Sequence, residues 1–100
     1  MPDRAAQPGR ALASLPVMGV HQVVVDVMLK PEILDPAGQA VLNALPSLGL
    51  PVAQGLRIGK HIELSLEAED ADAALQQATK MAEVLLANPV IEDATVQLRP

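Results

Sequence analysis

The 100-residue chain contains no phenylalanine, tyrosine or tryptophan, and it contains no cysteine. Without aromatic rings it cannot stack nucleic-acid bases, and a net charge of −5 denies it the basic surface that attracts phosphate backbones. Without cysteine it has no disulfide, no thiolate metal site and no cysteine nucleophile. The absence of disulfides fits a reducing compartment, so we expect a cytoplasmic protein. From the charge and the missing aromatic residues we expect that it binds no nucleic acid.

Long hydrophobic runs are also missing. No apolar stretch approaches the roughly 18 residues that a membrane span requires, so no membrane association is expected. Residues 1–20 are interrupted by Pro8, Gly9 and Pro16, which favours a variable, disordered leader over a cleaved signal. Residues 21–100 are then expected to form one folded domain.

The apolar residues that are present make up half of the chain, and all of them are aliphatic. In residues 21–30, Val23, Val25 and Val27 alternate with other residues, which predicts a strand that Pro31 ends. Residues 94–98 predict a short last strand by the same alternation.

Two helices are predicted between these strands. Asp35 is a good N-cap and Pro36 suits the first helical position, so a helix is expected over 35–45. Acidic residues at the start and Asn88-Pro89 at the end bound a second helix over 70–89. We expect its buried stripe to consist of Leu75, Ala78, Met81, Ala82 and Leu85.

The middle segment, residues 54–67, has its apolar residues at even positions without interruption. A two-residue hairpin turn at 59–60 would send the two apolar sets to opposite faces. One long strand with a bend at Gly59 keeps them together and is preferred. A three-residue loop at 59–61 also preserves the pattern, but such loops usually place glycine last, so this alternative ranks second.

The order strand, helix, strand, helix, strand predicts an α+β domain of two layers, with a long kinked middle strand and both helices on one sheet face. Each strand–helix–strand unit favours a right-handed crossover. The other sheet face would carry Val24 and Met28 without cover from this chain. Such a mixed face suits a partner subunit or a second copy of the chain.

A search for catalytic or metal-binding residues finds no candidate constellation. The histidines, His21 and His61, have no serine and acid in the context of a nucleophilic triad. His61 and Glu63 offer two ligands where a metal site needs three or four. Glu92 and Asp93 have no neighbours in sequence that would separate their pKa values for acid–base work. We therefore expect no catalytic, cofactor-binding or metal-binding residue in this chain.

The segment RIGK, residues 57–60, does not fit a phosphate-binding loop, because a strand pattern follows it where a helix would be needed. We interpret it as a bent strand with exposed basic side chains. Our hypothesis is that Arg57 and Lys60 lie on a surface that partners use.

Three segments in series, LKPEILDPAGQAVLNAL, RIGKHIEL and LLANPVIED, resemble the PurS subunit family of phosphoribosylformylglycinamidine synthase over about residues 22–98. The resemblance implies three strands, two helices and a homodimer. It also implies two partners: PurL, a synthetase that uses ATP and magnesium, and PurQ, a glutaminase. Their complex converts formylglycinamide ribonucleotide, glutamine and ATP to formylglycinamidine ribonucleotide in purine biosynthesis. The small subunit would assemble the complex and assist ammonia transfer, without catalytic residues of its own.

The matching motifs place candidate partner-interface residues along the chain: Lys30, Arg57, Gly59, Lys60, His61, Asn88, Glu92 and Asp93. The chain departs from many relatives at two positions, His61 and Ala94, where those relatives have tyrosine. Two other functions are compatible with the residues alone: a free-standing module that senses a small metabolite, and a small independent enzyme.

Overall fold

The computed structural model describes residues 18–99. Its elements, in chain order, are strand β1 (Gly19–Leu29), helix α1 (Pro36–Ala44), a 3-10 helix (Pro46–Leu48), strand β2 (Lys60–Ala68), helix α2 (Ala71–Met81), a π-helical turn (Ala82–Leu86) and strand β3 (Glu92–Leu98). The predicted order of elements and the α+β class are confirmed. The leader expected over 1–20 lies outside the described residues except for 18–20, and β1 already includes Gly19. No helix within 18–99 has the length and apolar character to cross a membrane.

The three strands form an antiparallel sheet in the order β2-β1-β3. At its centre, Val25 lies opposite Ile62 on one side and Val96 on the other. The chain between β1 and β2 returns to the end of the sheet where β1 finished, so these strands are antiparallel and the crossover expected there is wrong. Only the connection through α2 joins strands that run in the same direction, β2 and β3, with β1 between them.

The core lies between the sheet and α2. Val23, Val25 and Val27 are fully buried, as the alternation in β1 predicted. The buried residues of the helical segment recur every four positions and are all alanine: Ala74, Ala78 and Ala82. Side chains this small let the helix approach the valines closely.

The predicted stripe of the second helix was therefore correct at Ala78 and Ala82, and at Leu75, which is partly buried against the core, but wrong at Met81 and Leu85. Met81 is 38% exposed and Leu85 is 82% exposed. The helix is rotated so that its alanines face the sheet, because the row at every fourth position is the one that fits against the valine surface.

The covering of the sheet differs from the expectation that both helices share one face. Helix α2 packs against all three strands, whereas α1 contacts the 3-10 helix after it and makes no comparable packing with the sheet. Three strands about 4.8 Å apart place the outer strands about 10 Å from each other, and one helix is also about 10 Å across. A single helix therefore fills this face.

The segment between β1 and β2, residues 31–59, is named the arm below. It includes α1, and polar contacts fix its shape. The Asp35 carboxylate accepts from the backbone N–H of Gly38 at 2.9 Å, which caps α1, and from the N–H of Ile58 at 2.9 Å. These two hydrogen bonds, first the one from Gly38, lower the pKa of Asp35. One carboxylate thus joins the start and the end of the arm.

The long kinked middle strand is not confirmed, because β2 begins only at Lys60. Residues 55–59 have no regular secondary structure, and neither hairpin at 59–61 occurs, since β2 pairs with β1 from Lys60 onward. Gly59 passes so close to β1 that a Cβ there would overlap the Met28 sulfur and the Val27 carbonyl oxygen. Glycine is required by this close approach.

We predict that Gly59→Ala lowers the free energy of unfolding by about 1–3 kcal/mol, because the methyl group forces β1 and the arm apart. Gly55→Ala is the matched control, since a Cβ at Gly55 meets no atom within 4 Å. It should leave stability unchanged or raise it by about 0.4–1 kcal/mol. Urea unfolding of both variants measures the effect, and equal stabilities would contradict the contact at Gly59.

Candidate partner interface

The residues expected at a partner interface come together at one end of the sheet. There, β1 ends where β2 and β3 begin. Met28 lies opposite Asp93 and Val27 lies opposite Lys60. Segments that are 27 or more residues apart in sequence thus meet in space. The set consists of Lys30, Arg57, Gly59, Lys60, His61, Asn88, Glu92 and Asp93.

An ion pair and a backbone bond join the end of β1 to the start of β3. Lys30 Nζ donates to Asp93 Oδ1 at 2.7 Å, and the Lys30 N–H donates to the carbonyl of Ile91 at 2.9 Å. The side-chain hydrogen bond to Asp93 raises the pKa of Lys30. Both side chains are partly exposed, so a docking partner can reach this pair.

Asn88 and Glu92 form the turn that leads from the π-helical turn into β3. The Asn88 N–H donates to Glu92 Oε1 at 2.6 Å, and Asn88 Oδ1 accepts from the Val90 N–H at 3.1 Å. The Asn88 carbonyl accepts from the Glu92 N–H at 2.7 Å. Since Glu92 serves this turn and Asp93 pairs with a lysine, neighbouring carboxylates here have separate structural partners.

Arg57 and Lys60 are exposed, as expected, but each also binds backbone carbonyls. The Arg57 guanidinium donates from Nη2 to Leu29 O at 2.6 Å and to Lys30 O at 3.2 Å. Lys60 Nζ donates to Leu86 O at 3.2 Å. Arg57 therefore fastens the arm to the end of β1, and Lys60 fastens β2 to the end of the helical segment. Their use by partners stays a prediction.

A cleft of about 430 Å³ opens between the arm and this end of the sheet. Its floor includes the apolar side chains of Val27, Leu29 and Ile58, and its charged lining residues are Asp35, Lys60 and Glu92. Each of these three charged side chains already bonds to a backbone group. The cleft offers an apolar recess, without a nucleophile placed beside a base.

Neither serine within the described range lies beside a histidine and an acid in a triad. The Ser47 hydroxyl donates to the Ala44 carbonyl, and the Ser65 hydroxyl donates to Gln22 Oε1 at 2.8 Å. Ser14 lies outside the described residues. Across residues 18–99, no group of three or more histidine, aspartate or glutamate side chains is arranged to hold a metal ion.

The sheet face opposite α2, named the open face, carries a charged network. His61 Nδ1 lies 2.7 Å from Asp26 Oδ1, and its Nε2 lies 3.0 Å from Glu63 Oε2. Arg99 Nη1 contacts the second Glu63 oxygen at 2.6 Å. Hydrogen bonds to Asp26 first, and then to Glu63, raise the pKa of His61. The bond from His61, and then that from Arg99, lower the pKa of Glu63.

Exposed apolar side chains mark two surfaces that sequence reasoning did not find. In the arm, Leu34, Leu48 and Val52 are each at least 70% exposed. Beyond α2, Leu85 and Val90 are exposed by 82% and 77%. The predicted stripe of the second helix places one of these residues, Leu85, in the core. Proline is the sequence signal that could have located the exposed residues of the arm. Pro46 and Pro51 lie just before Leu48 and Val52 and prevent a long helix or strand there, so no regular element packs these two side chains into the core.

Comparisons with known proteins identify the family of this chain. A family model described as "PurS: Phosphoribosylformylglycinamidine (FGAM) synthase" matches residues 22–100. The phosphoribosylformylglycinamidine synthase subunit PurS of Synechocystis sp. is 52% identical over 67 residues, which are 67% of this chain and 67% of that relative.

Two solved structures are similar in both fold and sequence. The PurS subunit of Thermotoga maritima has a TM-score of 0.74 and 34% identity, with 83% of this chain and 95% of that chain covered. The structure of PurLQS from the same organism includes a chain with a TM-score of 0.75 and 31% identity, with 81% and 99% covered. The chain belongs to the PurS family of phosphoribosylformylglycinamidine synthase subunits.

Proposed function

We propose that this chain is the noncatalytic subunit that assembles a PurL synthetase and a PurQ glutaminase, and that it assists ammonia transfer between them. The observation that carries the proposal is the likeness to a chain of PurLQS from T. maritima, which extends over 81% of the present chain. The chemistry agrees, since the charged residues at the end of the sheet bind neighbouring backbone and side chains instead of facing a reaction centre.

The glutamine-dependent C–N bond formation then takes place in the partner subunits. ATP and magnesium belong to the synthetase in this proposal, and the present chain supplies surfaces. A chain without cysteine suits the reducing cytoplasm, which is the compartment we propose for the complex.

We also propose that the chain forms a homodimer, and that the arm takes part in it. Gly38 is the only buried residue of helix α1. Packing within the chain therefore does little to offset the conformational entropy that is lost when this helix forms. A second copy would cover the exposed side chains of Leu48 and Val52. In a symmetric dimer each copy buries the same patch of the other, so both sets of apolar side chains leave water in one association.

Omission of the chain tests the assembly role. In a mixture of PurL and PurQ, glutamine-dependent synthesis of formylglycinamidine ribonucleotide should require this chain. Ammonia-dependent synthesis by PurL should need it much less, because free ammonia bypasses the transfer between subunits. Equal glutamine-dependent turnover with and without the chain would refute the role, and a melting shift with a small metabolite alone would favour a sensing module.

A charge placed on the exposed arm tests its part in association. We predict that Leu48→Glu leaves the chain folded, because this side chain is 70% exposed, but shifts the dimer to monomer by at least tenfold in dissociation constant. Gln39→Glu adds the same charge on the polar side of α1 and should leave the dimer intact. Analytical ultracentrifugation separates the two outcomes, and a dimer unaffected by Leu48→Glu would exclude the arm.

Arg57→Gln tests the attachment of the arm. The shorter neutral side chain cannot reach both carbonyls at the end of β1. The adjacent Ile58 amide, which donates to Asp35, should therefore exchange with deuterium faster while the amides of β1 keep their protection. Lys80→Gln removes an equal charge from α2 and serves as the control. Unchanged exchange in the arm would show that Arg57 does not hold it.

A further inference from the structure

His61 lies where all three strands of the open face can be linked through side chains. It projects from β2 beside Asp26 of β1, its partner in register, and beside Glu63 two residues further along β2. Glu63 in turn contacts Arg99, which follows β3. The chain Asp26–His61–Glu63–Arg99 therefore crosses the sheet from the central strand to both edges.

The two contacts of the imidazole ring require a particular protonation state. An ionised carboxylate only accepts hydrogen bonds, and both ring nitrogens of His61 face one, at 2.7 and 3.0 Å. A neutral imidazole carries a single N–H, so its other nitrogen would direct a lone pair at a carboxylate oxygen. Only the imidazolium cation donates to Asp26 and Glu63 at the same time.

We propose that His61 is a proton-dependent fastener of the open face, which links β1 to β2 as an imidazolium cation and releases one of its two carboxylates on deprotonation. With the proton, the network has two negative groups, Asp26 and Glu63, and two positive groups, His61 and Arg99. Without it the network carries one net negative charge, and two carboxylates lie beside an uncharged ring. This site is distinct from the arm and does not depend on the proposed assembly role.

The groups that face His61 from each neighbouring element support this assignment. Strand β1 contributes Asp26, and β2 contributes Glu63. From β3, the residue in register with Asp26 is the uncharged Thr95, and Arg99 after β3 contacts Glu63. The Lys30–Asp93 ion pair begins beside Met28. Helix α2 packs on the opposite face.

The sign of the pH dependence follows from the two pKa shifts. The pKa of His61 is raised above its ordinary value of 6.5, so its contribution is complete below that value and is lost as pH rises through the raised pKa. The pKa of Glu63 is lowered from 4.5, so its contribution is present above 4.5 and is lost in acid. The contributions of His61 and Glu63 are therefore both present between pH 4.5 and pH 6.5.

Nuclear magnetic resonance of the intact chain measures the titration directly, with both histidines observed in one sample. We expect the His61 ring to titrate above pH 6.5, and Asp26→Asn to shift its midpoint downward because the first of its two acceptors loses its charge. A His61 midpoint at or below 6.5, or a midpoint unmoved by Asp26→Asn, would overturn the proposal.

Thermal unfolding at fixed protein concentration gives the second readout. The stability difference between the wild type and His61→Gln should be largest near pH 6 and should shrink by pH 9, because glutamine cannot carry the proton. Ser65→Ala is the control, since it removes a hydrogen bond to Gln22 that involves no titratable group and should leave the shape of the pH profile unchanged. A difference between wild type and His61→Gln that does not vary with pH would refute the fastener.

Discussion

The rest of this structure depends on the narrow width of its three-stranded sheet and on the absence of aromatic side chains from its core. One helix covers one face of such a sheet, and it comes close only through small side chains. Ala74, Ala78 and Ala82 meet Val23, Val25 and Val27 in a thin, dense core. No space remains on that face for α1, so its apolar residues stay outside the core.

Polar contacts take over where apolar packing is missing. The Asp35 carboxylate and the Arg57 guanidinium hold the arm by its two ends, through backbone N–H groups and backbone carbonyls. Exposed hydrogen bonds of this kind open more easily than a core, so the arm has little stability of its own. Hydrogen bonds fix the conformation of the arm while its apolar side chains stay exposed, which suits it to packing against another protein.

Membership of the PurS family agrees with this physical picture. The charged side chains at the end of the sheet are bound to one another or to the backbone, and they leave an apolar cleft between the arm and the strands. The open face differs in character, since an imidazole ring lies there between two carboxylates. The exposed apolar side chains of the arm and the histidine–carboxylate network of the sheet therefore lie on different segments of one small domain.

The sequence by itself determined the order of the elements, the cap of the first helix and the buried face of β1. These are local properties: alternation fixes which valines share a face, and Asp35 and Asp70 cap the helices that follow them. The sequence also indicated the family, because three motifs in series resemble those of PurS. The tertiary structure alone decided that β1 and β2 are antiparallel, that β2 begins after Gly59, and that alanines instead of Met81 and Leu85 face the sheet. Each of these three features depends on how closely segments that are distant in sequence can pack in space. The spacing of residues along the chain does not specify that packing distance.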